Sequence, residues 1–262
     1  MNNDLKDIFH IQEVLKSNGY YDISRISNEI YDYSIKSSTP LESILKRISC
    51  NEPWEYIKGE CEFRGEIFKV NTSTLIPRIE SEQIIDILKD ELKNSSTPFN
   101  GIVDVGTGSG CLIVSAAKEL GDKYGYYATD ISQKALSIAK KNAQRILPSN
   151  KIDFVNTNLL EDLQLDTKKT YFIITNLPYI PTEQYLGLDR CVKDYEPQIA
   201  LDGGNLGTKY YFELFEQIKG KGLCATLLCE IEPSTVDQFK SLQPEIIKDI
   251  YSRQRFLLFS FS

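Results

Sequence analysis

Apolar positions along this chain follow two periods, and the change between them divides it. Up to about residue 58 they recur at helical spacing. Leu5, Ile8, Ile11 and Leu15 form one stripe, closed by Asn18 and Gly19, and Ile23, Ile26 and Ile30 form a second. At the third, Thr39 suits the N-cap, Pro40 the first helical position and Glu42 the far side of a capping box. Leu41, Ile44, Leu45 and Ile48 then face inward. Such a bundle is short of core and should lean on something larger. From Glu62 to Val70 the pattern alternates around Gly65, which predicts a β-hairpin. Ser81 is placed to cap a helix carrying Ile84, Ile85, Leu88 and Leu92, with Arg78, Glu80 and Glu82 as solvated charges at its start.

After the loop at Asn94 to Pro98, short apolar runs and amphipathic stretches alternate. Ile102 to Val105 reads as a strand, Cys111 to Leu120 as a helix, Tyr126 to Asp130 as a strand and Gln133 to Ile146 as a helix. Ile152 to Val155, Phe172 to Thr175 and Leu223 to Cys229 read as further strands. Ile246 to Ile250 and Phe256 to Phe261 close the set, the last as an antiparallel edge. Strand and helix in alternation predict an α/β fold with a parallel, doubly wound sheet.

Composition narrows the picture. With 262 residues, 41% of them hydrophobic, the chain suits one large domain plus a small appendage. A net charge of −7 disfavours non-specific nucleic-acid binding. No apolar run reaches the ~20 residues that span a bilayer. The stretch from Met1 to Asp7 is polar and acidic, unlike a secretory signal or an Arg-rich transit peptide. Cys50, Cys61, Cys111, Cys191, Cys224 and Cys229 form no Cys-x-x-Cys pair and read as reduced, mostly buried thiols of a cytoplasmic protein. The one histidine, His10, lies on an expected surface helix, so neither a Ser-His-Asp triad nor a His-based zinc site can be built, and no metal is expected.

Two stretches carry candidate chemistry. Between the first sheet strand and its helix, Gly106, Thr107, Gly108, Ser109 and Gly110 form a Gly-x-Gly-x-Gly loop that lets backbone approach a ligand closely. It lacks a Walker lysine, which argues against a nucleoside triphosphatase. Asp130, at the end of the second strand, can accept hydrogen bonds from both hydroxyls of a ribose, as for NAD or S-adenosylmethionine, or it can cap the next helix. Asn158 and Leu159, after the third strand, can flank an adenine.

The second stretch, Thr175 to Pro181, leaves the fourth strand at the carboxyl edge of the sheet. Pro178 biases Leu177 towards an extended backbone, so the Asn176 side-chain oxygen and the Leu177 carbonyl are expected to face outward and grip a planar NH2, with Tyr179 against its flat face. The plainer reading is a proline-rich strand exit with a buried tyrosine. An acceptor of this kind beside a nucleoside site, with no acid or base for hydride chemistry, favours S-adenosylmethionine, because methyl transfer needs mainly alignment.

Further matches extend the pattern: Glu52 and Pro53 with Tyr56 to Gly59, Glu62 and Phe63 with Phe68, Leu75 to Arg78 with Glu80 and Glu82, and Glu196 and Pro197 with Ala200 to Gly204 and Gly207. With Asp104 to Gly110 and Asn176 to Ile180, they make the chain resemble the HemK/PrmC family of protein-(glutamine-N5) methyltransferases, which modify the glutamine of the Gly-Gly-Gln motif of peptide chain release factors. The resemblance implies a helical substrate-recognition domain over 1–58, a hairpin connector over 59–74 and a seven-stranded Rossmann-like S-adenosylmethionine-dependent methyltransferase domain over 75–262. It implies that Gly106 to Gly110, Asp130, Asn158, Leu159 and Asn176 hold the cofactor. Asn176, Leu177, Pro178 and Tyr179 would hold the substrate glutamine, with Asn176 and Tyr179 catalytic. The expected partner is a release factor, met by a monomer, with no membrane and no nucleic acid. Leu177 stands where the family usually has a proline, as does Ile79, and Asn158 stands where Asp is common. A ribosomal-protein glutamine methyltransferase is the near alternative. An rRNA adenine-N6 methyltransferase, which shares the Asn-Leu-Pro-Tyr form, is the more distant one.

Overall fold

A computed structural model of the chain describes residues 3–149 and 151–262, so the first two positions of the polar N-terminal stretch lie outside the described residues. Helices α1 (Asn3–Ser17), α2 (Ile23–Ser37), α3 (Leu41–Ser49) and α4 (Trp54–Lys58) come first. Ile11, Leu15, Ile30, Ile44, Ile48 and Trp54 close a core of their own there. Leu5, counted into the first stripe, is exposed. The expected capping box does not form. Pro40 takes the N-cap position itself, with an extended ψ of 129°, and helix α3 begins at Leu41 without a side-chain cap. The Thr39 hydroxyl instead accepts a hydrogen bond from Ser37 Oγ.

The hairpin pairs β1 (Glu60–Phe63) with β2 (Glu66–Lys69) through Arg64 and Gly65. Both residues have positive φ, 49° and 71°, as a tight two-residue turn requires. Phe63 and Phe68 enter a core with Ile84, Leu88, Leu112 and Phe172, which ties the hairpin to the main sheet. Polar contacts do the same. Arg64 bonds Asp86 and Glu119, and the buried Asn142 amide bonds the backbone N–H and carbonyl of Lys69 and the carbonyl of Ser109.

The main body holds α5 (Gln83–Asn94), β3 (Gly101–Val105), α6 (Cys111–Leu120), β4 (Gly125–Asp130), α7 (Gln133–Ile146), β5 (Ile152–Asn156) and β6 (Thr170–Thr175). Two single turns, α8 (Thr182–Tyr185) and α9 (Arg190–Lys193), precede α10 (Lys209–Gly220), β7 (Cys224–Glu230), β8 (Glu245–Lys248) and β9 (Gln254–Phe261). The seven-stranded sheet runs β5-β4-β3-β6-β7-β9-β8, parallel as far as β7. It is a seven-stranded Rossmann-like arrangement, as expected. The final strand is antiparallel, as expected, but it is not the edge: β9 lies between β7 and β8. Burial explains the exchange. Phe256, Leu257, Leu258 and Phe259 are all buried, the pattern of a strand covered on both faces, while β8 is half exposed.

The order of strands reverses at β3, with β4 on one side and β6 on the other. Open α/β sheets bind ligands in the crevice at that switch point. Register places Val105 level with Thr129 and with Thr175, so the glycine loop, Asp130 and Asn176 emerge together at one edge. All six cysteines are free thiols, but only Cys229 is buried, so the expectation of mostly buried thiols fails. Among the described residues, no helix is long and apolar enough to cross a membrane.

Candidate active site

The switch point opens into a cleft whose empty space, counted with the open solvent at its mouth, is about 1060 Å³. One wall is the glycine loop. Gly106, Gly108 and Gly110 have φ of 75°, 57° and 82°, a backbone that side chains resist. Gly106, Thr107, Gly108 and Ser109 line the cleft, while Gly110 lies behind it, where an added Cβ would meet Ala139 at 3.1 Å. Asp104 sits beneath the loop. Its Oδ2 accepts from Thr107 Oγ1 at 2.6 Å, and its buried Oδ1 has no partner. Burial pushes its carboxyl up from the usual 3.8 to about 7.

Asp130 closes this wall. Its Oδ2 accepts from the Gly108 N–H and its Oδ1 from the Ser132 N–H, each at 2.8 Å. The helix-cap alternative passes to Ser132, whose Oγ accepts from the Ala135 N–H at the start of α7. Each Asp130 oxygen keeps acceptor capacity, and burial raises the group's pKa. Asn158 and Leu159 line the cleft beyond it, Leu159 with a φ of 52°. Gln217 from α10 holds that segment, accepting from the Leu160 N–H at 2.7 Å.

Asn176, Leu177 and Pro178 form the other wall. The Asn176 Nδ2 donates to Ser81 Oγ at 2.9 Å. Ser81 is therefore no helix cap. It is buried in a 3₁₀ turn and donates onward to Glu230 Oε2 at 2.6 Å. Leu177 differs from its expected outward pose. Its carbonyl has an inner neighbour, the Tyr211 hydroxyl at 3.0 Å. That hydroxyl has one proton and lies closer to the Glu230 carbonyl, at 2.5 Å, so the Leu177 oxygen retains acceptor capacity. The Leu177 side chain is buried, and a Cβ on Gly106 would come 3.0 Å from its Cδ2. The Leu177 side chain thus packs against the glycine loop.

Tyr179 is not among the residues lining the cleft, where Tyr210 stands. Its hydroxyl donates to Glu230 Oε1 at 3.3 Å, and burial, together with the Glu230 charge, raises its pKa. A second backbone packs against this loop. Gly203 and Gly207 lie so close to the exit loop that a Cβ on either would meet the Pro178 carbonyl at 2.5 Å or the Tyr179 carbonyl at 2.1 Å. The Ile180 N–H donates to the Leu201 carbonyl, and the Gly203 N–H donates to that of Ile180.

The charges read as solvated are also engaged. Arg78 donates to the buried Glu196 at 2.5 Å, which also accepts from the Ile76 N–H. Glu82 accepts from the Arg64 N–H, and Glu80 faces Arg253. Ser81, Glu196, Tyr211 and Glu230 support the site without any motif that marks them as site-forming. For Glu230 a signal existed: a carboxylate at the end of a buried strand, as for Asp130.

A family model described as a methyltransferase domain matches residues 102–194. A release factor glutamine methyltransferase of Flavobacterium psychrophilum is 32% identical over 84% of this chain and 79% of its own. That of Mycoplasma mycoides subsp. mycoides SC is 37% identical over 81% of this chain and 73% of its own. The crystal structure of a methyltransferase from Pyrococcus furiosus superposes with a TM-score of 0.52 at 16% identity, covering 84% of this chain and 98% of that one, a likeness of fold. Identity at this level over most of both chains shows that this chain belongs to the release factor glutamine methyltransferases.

Proposed function

We propose that the protein methylates the side-chain amide nitrogen of the glutamine in the Gly-Gly-Gln motif of a peptide chain release factor, with S-adenosylmethionine as donor. The observation that carries this reading is the direction of the Asn176 amide: its NH2 is held inward by Ser81, which leaves Oδ1 as an acceptor on the cleft wall. The glycine loop fits an adenosyl cofactor, since its left-handed backbone and missing side chains leave the cleft open beside it. Asp130 would accept the ribose hydroxyls, and Asn158 and Leu159 would flank the adenine. When bound, S-adenosylmethionine supplies a methyl group already activated on a sulfonium.

The rest falls to the chain's own groups. Asn176 Oδ1 accepts one hydrogen of the glutamine NH2 and the Leu177 carbonyl, through the capacity that the Tyr211 hydroxyl behind it leaves, accepts the other, which fixes the nitrogen in one orientation. Tyr179 and Pro178 brace that loop. The Tyr179 phenol is kept protonated by burial and by Glu230, so it is no base, and the extra proton leaves through the open cleft to water. Residues 1–58 would meet the body of the release factor, with 59–74 as connector and 75–262 as the catalytic unit. The site belongs with translation factors in the cytoplasm.

The test is methyl incorporation from labelled S-adenosylmethionine into a release factor, a ribosomal protein or rRNA, each offered alone. Incorporation into release-factor glutamine is expected; incorporation only into either of the others would overturn the assignment. Asn176→Ala should lower the rate by about three orders of magnitude, as for loss of a preorganised polar group. It should leave cofactor affinity within about threefold.

A further inference from the structure

We propose that Glu230, acting through Ser81, is a positioning residue that sets which end of the Asn176 amide faces the cleft. The inference rests on the acceptor role of Asn176 given above. Glu230 ends β7, whose Cys229 pairs with Thr175 of β6, so its side chain lies beside the strand exit rather than in the cleft. It is almost fully buried. Two hydroxyls donate to its carboxylate, Ser81 Oγ at 2.6 Å and the Tyr179 phenol at 3.3 Å, and Arg255 Nη1 lies 3.9 Å away. Arg255 is held in turn by Asp249, at 2.9 Å.

The donor count then fixes the amide. Serine has one hydrogen to give, and Glu230, whose pKa burial raises while the Ser81 and Tyr179 hydroxyls and the Arg255 charge favour its ionised form, can only accept when ionised. The Ser81 hydrogen therefore goes to Glu230, and Ser81 Oγ is left to accept. Asn176 meets that demand with its NH2, at 2.9 Å. A reversed amide would set its oxygen against an oxygen with no hydrogen left, so that two buried acceptors would face each other. The reversed amide would also present NH2 to the NH2 of the incoming glutamine. Direction is thus imposed from 230 to 81 to 176, across three segments of the chain, by hydrogen-bond valence.

Removing either outer member should free the amide to turn. Ser81→Ala deletes the acceptor. Glu230→Gln offers Ser81 an NH2, so that the Ser81 hydrogen can turn towards Asn176. With full-length protein and a release factor, each change should lower kcat by about tenfold, the size of one buried hydrogen bond. The dissociation constant for S-adenosylmethionine should stay within about twofold, which also reports an intact fold. Because both act through one chain, the double variant should be no slower than the slower single variant, whereas independent losses would multiply. Ser81→Thr, which keeps the hydroxyl, should restore at least about half of the wild-type rate. Single variants with wild-type kcat, multiplying losses, or a Ser81→Thr variant as slow as Ser81→Ala would each overturn the relay. Asn176→Ala separates the two levels. If it is inactive while Ser81→Ala and Glu230→Gln run at the wild-type rate, the relay alone falls. If it is fully active, the acceptor reading falls and takes the relay with it.

Discussion

The two walls of the cleft are made differently. The glycine-loop wall comes from neighbours in sequence: Gly106 to Ser109 turn directly out of β3, and Asp130 ends the adjacent strand. Its working groups are largely backbone, and Asp130, the carboxylate that lines it, is fixed by two backbone N–H groups. The Asn176 wall is assembled from afar. Ser81, Asn176 and Glu230 come from three separate segments, and a fourth, Gly203 to Gly207, presses on the exit loop from outside. A wall built from one turn is robust to changes elsewhere. A wall built from four segments depends on each of them, so distant substitutions should disturb the acceptor side while leaving the cofactor side intact.

Gly207→Ala should show this most strongly. A methyl group there would sit 2.1 Å from the Tyr179 carbonyl, on a residue whose φ is already 70°. Backbone must shift, and a displacement of about 1 Å at the acceptor loop is expected to lower kcat by about 100-fold. The left-handed conformation alone destabilises alanine by roughly 1–2 kcal/mol. Binding of S-adenosylmethionine, measured by calorimetry, should change by no more than about threefold. An equal loss in binding and turnover would mean that the walls are not separable.

The same difference explains what could be read from the sequence. The alternation of strands and helices, the glycine loop and Asp130 were legible because each rests on local pattern: period, turn residues and strand ends. The strand exit at Asn176 was legible as a motif, but its support was not. Ser81 beside Glu82 has the pattern of a helix cap, and only the arrival of β7 gives its hydroxyl a buried carboxylate. Arg78 has the pattern of a surface charge until Glu196 closes over it. Tyr179 looked like a stacking ring, yet the clasp from Gly203 and Gly207 accompanies a hydroxyl directed at Glu230. In the same way, Phe256 to Phe259 showed a buried strand but not that β8 would pair outside it.

A perturbation of the opposite wall should give the converse result, with a smaller effect. Asp130→Ala removes an acceptor for ribose hydroxyls and releases the Gly108 N–H. Loss of a charged hydrogen bond of this kind is worth about 1.5–3 kcal/mol, or roughly 10–100-fold in cofactor affinity. At saturating S-adenosylmethionine, kcat should recover to within about threefold of wild type. A loss in kcat that saturation does not repair would place Asp130 in the acceptor machinery and dissolve the distinction.

The smallest effect concerns the charge state beneath each wall. Glu230, on the acceptor side, has Arg255 and two hydroxyl donors around it, whereas Asp104, on the cofactor side, has no cation and one unpartnered oxygen. Burial raises Asp104 to about 7, so folding favours its protonated form. The stability this contributes is complete below the unfolded value of 3.8 and is lost as pH rises through about 7. Between pH 6 and pH 8 the loss is about 1.4 kcal/mol. For a chain of this size that lowers Tm by roughly 2–3 °C. Asp104→Asn should keep the hydrogen bond from Thr107 and abolish the difference, so its Tm should be flat over the same range apart from slopes it shares with wild type. Parallel Tm profiles for the two proteins from pH 6 to pH 8 would show that Asp104 is already ionised at pH 6, and that burial does not keep the carboxyl beneath the cofactor wall neutral.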